Sequence, residues 1–202
     1  IRIVPVGLTQ SEVEGFYLGF ANRTIWPLYH DVVRIPTFHR TWWKPYVDVN
    51  RRFALLTAKL AAHRQMVWVH DYQLQLVPRF LRELRPDLRI GFFLHIPFPP
   101  DELFAWLPWR KEILEGLLGA DVVGFQTQPD ARDFANAARQ FTTADGTETH
   151  LHYKGRTVQV AAFPISIDFR AFEAMAGAPQ VIKQAQALRR QVGGSRKIVL
   201  SI

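Results

Sequence analysis

The sequence predicts an α/β protein built on a doubly wound, Rossmann-like parallel sheet. Short apolar runs rich in β-branched residues recur along the chain without polar alternation, as in parallel strands covered on both faces. Segments with helical spacing lie between them, and alternating strands and helices assemble a parallel sheet. With 202 residues, 48% of them hydrophobic, the chain can bury one large core.

The expected strands are 1–6, 66–70, 90–94, 121–125 and 197–202. Thr9 and Glu12 have the spacing of a capping box and open a helix running toward Tyr29. A second helix covers 43–63. A third lies within 72–84, where Leu74, Val77, Leu81 and Leu84 share a face and Pro78 marks the first turn or a kink. Asp101 is the expected N-cap of a helix over 102–106, and helices over 109–118 and 131–141 follow. From Thr142 the pattern turns polar. Segments 150–153 and 157–161 form a hairpin, then come helices over 169–176 and 179–192, the last closed by Gly193 and Gly194. The chain starts with Ile1 and both opens and closes on a strand-like run, so a piece of a longer protein is expected.

Composition excludes several function classes. With no cysteine there is no disulfide, thiol nucleophile or cysteine-bound metal, which fits a cytoplasmic protein. No apolar run approaches the ~20 residues of a membrane span. The first residues lack a basic region followed by an apolar stretch, so no signal peptide is read. The net charge is +7, but the basic residues are spread out and the densest groups are the pairs Arg51-Arg52 and Arg189-Arg190. That pattern suits small anionic metabolites better than nucleic acid. No glycine-rich phosphate loop or nucleophile elbow is present, and His150 and His152 alternate on a hairpin without a clear carboxylate partner. Neither a metal nor another cofactor is expected.

In open parallel sheets, ligands bind beyond the carboxyl ends of the strands. This places weight on RIGFFLHIPFPPD (89–101), an apolar strand that ends in His95 and runs into three prolines. The preceding strand ends in His70 and Asp71, and the next in Gln126 and Thr127. Asp71 and His95 are therefore the candidate catalytic pair, although taken alone Asp71 reads as an N-cap and His95 reads equally as a core histidine. Prolines 97, 99 and 100 stiffen the loop beside them. His70 points to the opposite face if the strand continues, which makes it structural. Tyr17, Trp26 and His30 share a segment with Asn22 and Arg23, and one face of that segment is a candidate cleft wall. Trp106 and Trp109 read as either core or a homo-oligomer interface.

The segments FYLGFANRTIWPLYH (16–30), VWVHDYQLQLVP (67–78), IGFFLHIPFP (90–99), LLGADVVGFQT (117–127) and FPISID (163–168) resemble the trehalose-6-phosphate synthase family in order and spacing over nearly the whole chain. Asp48 to Asn50 and Gln73 to Gln75 most resemble its actinobacterial members. The resemblance implies the two-domain GT-B glycosyltransferase fold. Residues 1–168 would be most of the N-terminal, acceptor-side domain, and 169–202 inter-domain helices with the first strand of the nucleotide-sugar domain. It implies retaining transfer of glucose from a nucleotide-glucose, most often UDP-glucose, to glucose 6-phosphate. Relatives using glycerol 3-phosphate or a cyclitol phosphate, and a non-catalytic sugar-phosphate sensor, are the alternatives. By motif position Tyr17, Trp26 and Asp71 would bind the acceptor and His95 the donor glucose. The groups that grip the donor phosphates would fall outside these residues, so this piece alone is expected not to catalyse transfer.

Overall fold

The computed structural model describes residues 3–194, 197 and 199. They fall into two compact units, one ending at Pro164 and one beginning at Ile165. The first contains a six-stranded sheet in the order β1-β2-β3-β6-β5-β4. Its strands are β1 (Met66–His70), β2 (Arg89–Phe93), β3 (Val122–Phe125), β4 (Asp145–Gly146), β5 (His150–Tyr153) and β6 (Arg156–Ala162). β1, β2, β3 and β6 run parallel, and β5 and β4 return antiparallel beyond β6. This is the α/β sheet that the sequence predicts, with the hairpin after Thr142 forming one edge.

The expectation at the amino-terminal end needs revision. Residues 3–6 form no strand, and Ile3 and Val4 are exposed. Pro5 donates no backbone hydrogen bond, and no neighbouring strand lies alongside these residues to complete a ladder. The strand expected over 197–202 lies almost entirely outside the described residues.

The helices of the first unit cover the sheet. Thr9 and Glu12 do form a reciprocal capping box, and they open a continuous helical segment, α1, over 10–29. Its middle, Val13–Ile25, is wound as a π-helix, with the Trp26 amide reaching back to Ala21 O. Such winding is rare and gathers at functional sites. The sequence carried no sign of it. Helix α2 (Arg40–Leu60) packs closely on α1. A Cβ at Gly15 would sit 2.8 Å from the Pro45 ring, and one at Gly19 would sit 2.7 Å from the Trp42 indole. These two glycines permit the close approach. Phe20 then packs 4.4 Å from Tyr46, and Trp43 stacks on Trp109 at 5.4 Å. Trp109 therefore belongs to the core, while Trp106 stays exposed.

Helix α3 (Val77–Leu84) carries Pro78 in its first turn, where the missing N–H costs nothing. Helices α4 (Asp101–Phe104), α5 (Arg110–Leu117) and α6 (Gln128–Phe141) complete this unit. Asp101 is not the N-cap: Pro100 holds that position, and Asp101 is the first helical residue. The α6 cap is Thr127, which accepts from the Asp130 amide. In the second unit, α7 (Phe169–Ala176) and α8 (Pro179–Val192) match the expected helices, and Gly193 at φ 136° ends α8. Among the described residues no helix is long and apolar enough to cross a membrane.

Candidate active site

β1 and β2 deliver their last residues to the same edge of the sheet, in register from Met66 opposite Arg89 to His70 opposite Phe93. Beyond this register the chain breaks its alternation. Asp71 adopts φ 74° and ψ 168°, a region that a side chain normally leaves to glycine at a cost of about 1–3 kcal/mol. Strain of this kind persists where surrounding contacts impose it. Here the Asp71 amide donates to Phe93 O at 2.8 Å, and its carbonyl accepts from the Leu74 amide at 3.0 Å.

That backbone turn decides what the Asp71 carboxylate does. It sits at the start of a short 3₁₀ turn (Tyr72–Leu74) but makes no side-chain cap. Instead Oδ1 accepts from the His95 amide at 3.2 Å, which ties the end of β1 to the end of β2. No arginine or lysine pairs with Asp71 among the described residues. Among the described residues the His95 amide is its side chain's one hydrogen-bond partner. Asp71 and His95, chosen from the sequence as a pair, do lie together.

The His70 ring packs against Trp68, two residues back on β1, as strand alternation dictates, and it meets the His95 ring on that face. Its Nδ1 lies 2.8 Å from His95 Nε2, and the two rings stack at 5.1 Å. Both histidines are exposed. Partial burial, then the neighbouring His95, lowers the His70 pKa, while Asp71 acts against that shift.

The loop after His95 is held from below. Phe98 is buried within an aromatic cluster of Tyr29, Phe104, Phe125 and Phe134. Its amide donates to Asp130 Oδ1 at 3.0 Å, and Asp130 also accepts from the Thr127 hydroxyl at 2.6 Å. The prolines thus frame a plugged anchor. Asp130 was not visible as a site support, and Thr127 serves as helix cap rather than as a ligand group beside His95.

α1 forms the other wall. Tyr72 Oη donates to Asn22 Oδ1 at 2.8 Å, which links the Asp71 loop to the π-helical turn. Burial, the Asp71 charge and the nearby Tyr17 together raise the Tyr72 pKa. Tyr17 is 44% exposed, enough to present its hydroxyl to a bound molecule. Trp26 lies further along α1, stacked on His30 at 4.0 Å with the Arg34 guanidinium 5.4 Å from its ring centre. Arg34 also donates to Asn22 O at 2.8 Å. Tyr17 thus lies near Tyr72, and Trp26 connects to Asn22 through Arg34.

Three buried residues to which the sequence assigned no role in the site fix this loop from the core side. Tyr46 Oη donates to Tyr72 O at 2.7 Å. Asn50 donates to Gln73 O at 3.0 Å and accepts from the Leu76 amide at 3.1 Å. Gln75 donates to Tyr72 O at 3.1 Å and accepts from Tyr29 Oη at 2.8 Å. A polar Asn50 one turn beyond Tyr46, on the apolar face of α2, was the available signal.

Comparison with known proteins now decides the family. Residues 1–202 match glycosyltransferase family 20. The chain belongs to that family. It is 52% identical, over its whole length, to a trehalose-6-phosphate synthase of Mycolicibacterium vanbaalenii, of which it covers 43%. Its structure is similar to the N-terminal domain of Candida albicans trehalose-6-phosphate phosphatase, with TM-score 0.85 and 30% identity over 96% of this chain and 42% of that one. It is also similar to an E. coli trehalose-6-phosphate protein bound with UDP-2-fluoro glucose, with TM-score 0.81 and 31% identity over 89% of this chain and 40% of that one. The chain thus spans less than half the length of the relatives it matches.

Proposed function

We propose that this family 20 chain supplies the acceptor-side part of a retaining glucosyltransferase. The complete protein moves glucose from UDP-glucose to glucose 6-phosphate and forms α,α-trehalose 6-phosphate. Residues 1–168 form the acceptor-side domain, and 169–202 lead into the nucleotide-sugar domain. The protein works in the cytoplasm.

The observation that carries this reading is Asp71. A strained aspartate with no basic partner among the described residues, at the carboxyl end of a parallel strand, supports a role in accepting hydrogen bonds from sugar hydroxyls. Asp71 holds the acceptor hydroxyl near the bond that forms. His95, tied to it through the backbone, hydrogen-bonds the donor glucose. Tyr17 and Trp26 contact the glucose 6-phosphate from α1. Aligning two sugars in a closed cleft converts an encounter between two molecules into a step within one complex. Fixed hydrogen-bond donors then stabilise charge on the departing nucleotide.

The test uses the complete protein. It is incubated with UDP-glucose and glucose 6-phosphate, and the product is identified by mass spectrometry and NMR. α,α-Trehalose 6-phosphate is the expected product. Tight binding of glucose 6-phosphate with no transfer from any common nucleotide-glucose would instead make the protein a sugar-phosphate sensor.

A further inference from the structure

Two imidazoles joined by one hydrogen bond cannot choose their tautomers independently. His70 Nδ1 and His95 Nε2 are 2.8 Å apart, so one nitrogen carries the proton and the other presents a lone pair. If His70 Nδ1 holds that proton, His95 carries its own on Nδ1. If His95 Nε2 holds it, His95 Nδ1 is an acceptor. Either way, what His95 offers a ligand at Nδ1 is fixed by its neighbour.

The surroundings hold the two rings in this relation. Trp68 packs against His70 at 4.5 Å, and Phe93 meets the far side of the pair, edge-on to His95 at 4.8 Å. The His95 amide is held by Asp71, so the ring starts from a fixed backbone. The groups facing the pair are Asp71 and the two histidines themselves. Partial burial and then the neighbouring His95 lower the His70 pKa, which works against a doubly protonated pair that would break the bond.

We propose that His70 is a positioning residue for the transfer reaction: it locks the ring orientation and tautomer of His95, and so sets whether His95 donates to or accepts from the donor sugar hydroxyl. This rests on the reading of His95 as the donor-glucose contact.

The complete protein is compared with its His70→Phe and His70→Asn variants. Phenylalanine keeps a stacking ring without a nitrogen. Asparagine keeps an amide near the position of Nδ1. Two readouts are taken: kcat with the donor KM, and the tautomer of His95 from its ring-nitrogen NMR shifts. His70→Phe is expected to lower kcat about tenfold, the size of one lost hydrogen bond, with the melting temperature unchanged. It should also turn a single His95 tautomer into a mixture. His70→Asn should restore most of kcat and the single tautomer. A His70→Phe protein with the wild-type His95 tautomer overturns the proposal, as does one with wild-type kcat. If the wild-type protein transfers no glucose, the functional reading fails, while the NMR arm still decides whether His70 locks His95.

Discussion

Asp71 and Asp121 sit at opposite edges of the same parallel sheet and do opposite things. Asp121 precedes β3 at its amino end. It accepts from Arg82 at 2.6 Å, from Arg156 at 3.2 Å and from the Ile90 amide at 2.8 Å. Arg156 also holds Leu118 O and Ala120 O. Asp87, nearby in sequence to β2, is likewise gripped by Arg85 and the Arg64 amide. Asp71, at the carboxyl end of β1, has one backbone amide, no cation and a backbone strained toward glycine geometry. The contrast teaches how to tell the two kinds of aspartate apart. A saturated carboxylate in relaxed backbone closes the fold. An undersatisfied one in strained backbone is what the proposed acceptor site calls for.

The sharpest way to break that distinction is Asp71→Gly. Glycine adopts φ 74° freely, so relief of strain offsets the lost hydrogen bond. The melting temperature should hold or rise, while kcat of the complete protein falls about a hundredfold or more. A large loss of stability would make Asp71 structural. Asp121→Ala is the mirror experiment. It strands Arg82 and Arg156, whose side chains are only 16% and 29% exposed, without their counter-charge. Denaturant unfolding should show a loss of about 2–3 kcal/mol with little change in KM.

A milder test uses acid. Arg52 and the Thr9 amide hold the Glu12 pKa down to about 2, below its ordinary value of 4.5. Arg85 and the Arg64 amide hold Asp87 well below the usual carboxylate range. Depressed folded values give stability that is present above the unfolded pKa and lost as pH falls through the folded one. The unfolding midpoint should therefore decline between pH 4.5 and about 2, and Glu12→Gln should flatten part of that decline. Both groups are close to the surface, so the effect is small and screened by salt.

Much of this contrast was legible in the sequence, for reasons that differ along the chain. The strand ends at His70 and His95 are visible because apolar runs stop abruptly at polar residues. Asp71 and His95 could be paired because parallel strands carry their ends to one edge. The π winding of α1 was hidden, since the residues of 13–25 carry no local pattern that sets it apart from an α-helix. His70 was set aside as structural because alternation turns it away from Asp71, yet the same alternation after β2 brings the His95 ring to its face. Asp101 was misread as a cap because a proline precedes it and the helix starts one residue early. The grip of Tyr46, Asn50 and Gln75 on the Asp71 loop required partners 23 to 29 residues apart, which no local pattern reveals.

The most direct measurement is hydrogen–deuterium exchange on the complete protein with and without glucose 6-phosphate. Slower exchange is expected in peptides covering 17–26, 70–76 and 94–98, with none around 118–121 at the other end of the strands. Protection confined to the Asp121 end, or absent from the Asp71 loop at saturating ligand, would contradict the assignment of the carboxyl edge as the acceptor site.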